Sequence, residues 1–88
     1  MVEKIVTISN RAGVHMRPAG MIVAAIKDFT CTILFEKDRN TINAKSIMGI
    51  ITLKASYGTN LKIIADGEGE QAAIDTLVHL FESKFEEE

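Results

Sequence analysis

Apolar residues recur along this chain with two different periods, and the switches between them lay out its elements. From Val2 to Ile8 the period is two: Val2, Lys4, Val6 and Ile8 share one face, and Thr7 points away from it. That alternation predicts a strand with Val6 and Ile8 turned to a core. Ser9 to Gly13 is a polar loop ending in glycine. The spacing then becomes helical, with Ala19, Ile22, Val23, Ile26 and Phe29 on the inner face of a segment from Met16 to Lys27. Gly20 weakens that helix by about 1 kcal/mol relative to alanine. Cys31 to Lys37 alternates again, with Cys31, Ile33 and Phe35 on one side. Asp38-Arg39-Asn40 is a tight turn, and Thr41 to Asn43 returns as the second arm of a hairpin. Ser46 then precedes a short apolar segment, Ile47 to Leu53, and its hydroxyl can cap the open N–H groups there. Ile47, Ile50 and Leu53 look inward, while Met48 and Ile51 fall on another, outer face. After the loop Tyr57 to Asn60, Leu61 to Ala65 reads as a strand with Leu61 and Ile63 opposite Lys62 and Ile64. Asp66 to Gly69 is a turn. A last helix runs from Glu70 to Phe85 on the stripe Ala73, Ile74, Leu77, Val78, Phe81 and Phe85, with Glu70 suited to its N-terminus.

The order is therefore β-α-β-β-α-β-α. Two long helices and a short one suffice to cover one face of four strands. The fold class predicted is α+β, an open-faced two-layer sandwich in which three helices cover one face of a four-stranded antiparallel sheet. Eighty-eight residues, 47% of them hydrophobic, are expected to form one domain spanning 1–88. No repeat, linker or low-complexity segment divides them. A net charge of −2 with no basic stripe argues against nucleic acid as the main partner. Glu86, Glu87 and Glu88 read as a solvated tail. The lone Cys31 has no disulfide partner and no metal-ligand spacing with His15 or His79, so a buried strand thiol is expected, and no metal or cofactor. No signal peptide is evident. The longest apolar run, Met21 to Ile26, is far short of the roughly 18–20 residues of a membrane span. The expected setting is the cytoplasm.

The chemistry concentrates in Gly13-Val14-His15-Met16-Arg17-Pro18-Ala19. Proline is tolerated in the first turn of a helix, so His15 falls at the N-cap of the first helix. The open N–H groups of Met16 and Arg17 and the positive end of the helix dipole then favour an anion beside the ring. Arg17 adds a planar fork matched to phosphate oxygens. An imidazole is a nucleophile that can form a covalent intermediate. A local field of this kind welcomes a phosphoryl group. The plainer reading is a polar residue at a helix cap and nothing more. Ser46 has its own plain reading, a hydroxyl that caps a helix for about 1 kcal/mol. His79, off the apolar stripe of the last helix and with no arginine beside it, reads as a surface residue.

Two segments taken together favour the phosphoryl reading: Asn10 to Ala19, and Asn43-Ala44-Lys45-Ser46-Ile47-Met48-Gly49. The pair resembles the HPr family, the histidine-containing phosphocarriers of the bacterial phosphoenolpyruvate-dependent sugar phosphotransferase system. The resemblance covers nearly the whole chain in length and element order. It implies that His15 is phosphorylated on Nδ1 by Enzyme I and passes the group to sugar-specific A domains of permeases. It implies that Arg17 contacts the phosphate and moves with it. It implies that Ser46 is modified by an HPr kinase/phosphorylase, and that a catabolite-control transcription regulator can read that state. Met16, Ile47, Met48 and Ile51 become the apolar surface on which partners dock. Such a protein is a covalent carrier rather than an enzyme with its own small-molecule substrate, and is expected to be monomeric. Position 16 is methionine where the family usually has a small residue, and Gly20 replaces a better helix former. A second reading keeps the family but makes Ser46 the main output, with little sugar transport. A third is a small binding module without phosphoryl chemistry.

Overall fold

In the computed structural model, which describes residues 1–86, the elements follow that order. They are β1 (Val2–Thr7), α1 (Met16–Ile26), β2 (Thr32–Lys37), β3 (Asn40–Asn43), α2 (Ile47–Leu53), β4 (Asn60–Asp66) and α3 (Glu70–Glu82), with a closing 3₁₀ turn at Lys84–Glu86. The sheet runs β1-β4-β2-β3 and every neighbouring pair is antiparallel. Register follows from the alternation of side chains. Val6 lies opposite Leu61, Phe35 opposite Ile63, and Ile33 opposite Ala65, all buried on one face. The helices close over that face with Ala19, Ile22 and Ile26 from α1, Ile50 and Leu53 from α2, and Ala73, Ile74, Leu77 and Phe81 from α3. The opposite face stays open: Ile5 is exposed there, and Lys62 stands 3.9 Å from Glu3 and 4.0 Å from Glu36. This is the open-faced two-layer α+β sandwich expected.

Three expectations change in detail. Cys31 is buried but lies one residue ahead of β2, so its thiol belongs to the approach to the strand. Val23 and Phe29 are only half-buried at the edge of the core. The last helix stops at Glu82, three residues short of Phe85. Phe85 is nonetheless completely buried, because Lys84, Phe85 and Glu86 all take left-handed backbone (φ 57, 53 and 62°) and turn the ring back onto Phe81. The two rings meet edge to face at 5.0 Å, and Phe81 meets Phe35 at 6.1 Å. Of the acidic tail, Glu86 is exposed, while Glu87 and Glu88 lie outside the described residues.

Glu70 joins the start of α3 to the start of β1. It accepts hydrogen bonds from the Gly67 N–H at 2.9 Å and from the Met1 ammonium at 3.2 Å. The Gly67 N–H first, and the ammonium second, hold its carboxyl below the usual range. A carboxyl lowered by folding adds stability above its unfolded value and loses it as pH falls through its folded one. The Met1 ammonium, raised mainly by its bond to Glu70, loses its share as pH rises through its own folded value. Thermal melts of wild type and Glu70→Gln should therefore differ slightly at neutral pH and converge in acid. Parallel curves at all pH values would remove Glu70 from the account.

Candidate functional site

Backbone and amide bonds hold the loop before α1. The Gly13 N–H donates to the Asn10 carbonyl at 3.0 Å, and the buried Asn10 amide donates back to the Gly13 carbonyl at 2.7 Å. The Val14 N–H donates to the Ala55 carbonyl at 2.9 Å, and the His15 N–H to the Gly13 carbonyl at 3.1 Å. Gly13 has φ +72°, and a Cβ there would stand 2.9 Å from the Ala55 carbonyl oxygen. Both conditions require glycine. Gly13→Ala should cost about 2 kcal/mol in urea unfolding. A cost under about 0.5 kcal/mol would show that the loop shifts freely.

This loop delivers His15 to the N-cap of α1 in extended conformation (φ −92°, ψ −164°). Its carbonyl accepts the first helical bond, from the Ala19 N–H at 3.0 Å, while its side chain makes no capping bond. The imidazole is exposed, as are Met16 and Arg17, and Pro18 is buried in the first turn. Arg17 is held away from solvent on one side. Its Nη2 donates to the Phe85 carbonyl at 2.8 Å, and its Nη1 lies 2.8 Å from the Met21 sulfur. The closing turn thus supplies an acceptor for the guanidinium, a role that nothing in the sequence around Phe85 announces.

Ser46 is the N-cap of α2, its Oγ accepting from the Gly49 N–H at 3.0 Å. A Cβ at position 49 would press on that oxygen at 3.3 Å, so Gly49 leaves the cap its room. Of the apolar residues assigned to docking, Met16 and Met48 are 60% and 64% exposed. Ile47 and Ile51 are half-buried and packed against the core, so each offers only an edge. α2 ends at Lys54, whose backbone is left-handed. Lys54 lines a shallow pocket of about 190 Å³ together with His15, Ala12, Val14, Ala55 and Ser56. Sequence reasoning passed over this lysine. His79 is exposed on α3 beside β1, in a cleft that it shares with Lys4, Asp75 and Glu82 but not with His15. Among the described residues no three His, Cys, Asp or Glu side chains gather as a metal site.

Chemically, the arrangement is an exposed imidazole at the positive end of an eleven-residue helix, with cationic side chains close in sequence or in space. It suits transient attachment of an anion to the ring and approach of a second macromolecule to it. A family model described as "PTS HPr component phosphorylation site" matches residues 2–83. The phosphocarrier protein HPr of Treponema pallidum is 46% identical over 88 residues, covering all of both chains. The HPr-like protein Crh of Bacillus subtilis is 42% identical over 77 residues, covering 88% of this chain and 91% of its own. A crystal structure of HPr from Thermoanaerobacter tengcongensis superposes with a TM-score of 0.96 at 46% identity, covering 100% of this chain and 99% of that one.

Proposed function

Since the chain belongs to the HPr family of the phosphotransferase system, we propose that His15 takes a phosphoryl group from phospho-Enzyme I and hands it to sugar-specific A domains of permeases. The observation that carries this reading is the exposed His15 ring at the N-cap of α1, with Arg17 two residues on. In the step, a ring nitrogen attacks phosphorus. A nitrogen–phosphorus bond forms as the donor's bond to phosphorus breaks, and that bonding pair leaves with the donor. Onward transfer is the same exchange with a new acceptor, so the carrier ends each cycle unchanged and needs no small-molecule substrate of its own. Stabilisation of the attached group must stay modest or it would not leave. An exposed ring meets that demand. Arg17, which donates to the Phe85 carbonyl among its contacts, can exchange that bond for one to a dianion, because charge-assisted bonds are roughly twice as strong. One copy of the chain, residues 1–88 acting as a single domain in the cytoplasm, supplies all of these groups.

Incubation with Enzyme I and phosphoenolpyruvate tests the reading. An acid-labile, base-stable phosphate is expected on the chain. Its absence would leave a binding module without phosphoryl chemistry.

Ser46 is proposed as the regulatory site, modified by HPr kinase/phosphorylase from ATP and read by a catabolite-control transcription regulator. The half-buried hydroxyl sits directly before Ile47 and Met48, and Met16, Ile47, Met48 and Ile51 are the proposed docking surface. A phosphate there adds about −1.5 to −2 charge at the edge of that surface. An acidic partner is then repelled without any change of fold. Ser46→Asp should lower kcat/KM for phosphorylation by Enzyme I about tenfold or more, whereas Ser46→Ala should leave it near wild type. Equal rates for the two variants would remove Ser46 from the control of His15.

A further inference from the structure

Lys54 stands where a helix end ordinarily takes glycine. Its backbone is left-handed (φ 56°, ψ 46°), and its N–H closes α2 by donating to the Ile51 carbonyl at 3.1 Å. A side chain in that conformation is disfavoured by contact of its Cβ with the backbone, and glycine escapes the penalty. A conformational cost borne by a long cationic residue asks for a return elsewhere. A lysine near a helix C-terminus gains a little from the dipole, but the surroundings offer more. The next residue, Ala55, accepts the Val14 N–H at 2.9 Å, and Val14 directly precedes His15. That bond pins the end of α2 against the start of α1, and His15 and Lys54 line one pocket as a result. Arg17 lies against a different element, the closing turn at Phe85.

We infer that Lys54 is a phosphate-contacting residue for transfer at His15, its ammonium meeting the phosphoryl oxygens in the pocket between the end of α2 and the start of α1. The inference rests on the reading of His15 as acceptor. An ammonium on a flexible stem is a point charge that can follow phosphorus between donor and acceptor. Its strong hydration at an exposed position keeps the attraction moderate, as a carrier requires. Arg17 and Lys54 then reach the moving group from two separate elements, so neither has to hold it alone.

Three full-length variants test this with Enzyme I and radiolabelled phosphoenolpyruvate. K54M keeps the stem and the backbone strain but loses the charge; its kcat/KM should fall about 3- to 10-fold, and the ³¹P resonance of its phosphohistidine should move. K54R should keep at least about half of the wild-type value. K54G should melt about 4 °C higher than wild type, because the strain is gone, yet transfer as slowly as K54M. Opposite signs for stability and rate are a result that a merely structural lysine does not give. Wild-type kinetics in K54M overturn the inference while leaving His15 as the acceptor. Slow transfer in K54G with normal transfer in K54M overturns it too, since backbone shape would then be the cause. K54R as slow as K54M would show that charge is not what matters. If the unaltered chain takes up no acid-labile phosphate, the His15 reading fails and this inference fails with it.

Discussion

Asparagine in place of His15 is expected to abolish acid-labile phosphate uptake and, in the same protein, to raise the stability of the fold. The first effect is chemical: an amide nitrogen is no nucleophile toward phosphorus, and His79, the other imidazole, lies in a different cleft. The second follows from where His15 sits. It occupies the N-cap of an eleven-residue helix and makes no capping bond with its side chain. Asparagine is among the best residues for that position, and a good cap is worth about 1 kcal/mol, or about 4 °C in melting temperature for a domain of this size. Incorporation from labelled phosphoenolpyruvate and a thermal melt read both effects on one preparation. Label remaining in His15→Asn would move the acceptor elsewhere. A lower melting temperature would mean that the ring holds the structure together and is not simply displayed by it.

The regular elements were legible because their apolar spacings are consistent over whole segments. Ile22 and Ile26, Ile50 and Leu53, and Ala73, Ile74 and Leu77 all reach the core from the faces that the periods select. His15 was legible as a cap because Pro18 marks the first turn and Gly13 closes the loop before it. The failures share a cause. Ser83-Lys84-Phe85-Glu86 contains neither glycine nor proline, and Phe85 falls four residues after Phe81, so local pattern continues the helix. Tertiary contacts end it instead: the ring is taken by the core and the carbonyl by Arg17. Lys54 failed for the same reason in reverse, since a lysine gives no sign of left-handed backbone, as Gly or Asn would have done. Sequence reading is weakest where a residue contradicts its local preference. Imidazole at a cap, lysine at a helix end and phenylalanine in a left-handed turn all lie in the loops and turns around the first turn of α1, which is where function tends to override propensity.

Phe85→Ala should be the most destabilising single change at this end of the molecule. The side chain is fully buried and packs edge to face on Phe81, which in turn packs on Phe35. Truncation of a buried phenylalanine costs about 3–5 kcal/mol, a large part of the roughly 5–15 kcal/mol that stabilises a typical protein. Phe85→Leu refills most of the space and should cost about 1.5 kcal/mol or less. Apart from the Glu86 N–H donating to the Ser83 carbonyl at 2.9 Å, the ring is what anchors this turn, so its loss loosens the carbonyl that accepts from Arg17. The guanidinium should then reorient more freely, seen as a lower order parameter for the Arg17 Nε–H in Phe85→Ala and near-normal values in Phe85→Leu. Urea unfolding and side-chain relaxation separate the two consequences. A cost below about 1 kcal/mol would mean that the closing turn is a loose end. Unchanged Arg17 dynamics with a large loss of stability would mean that the turn serves the core and not the guanidinium.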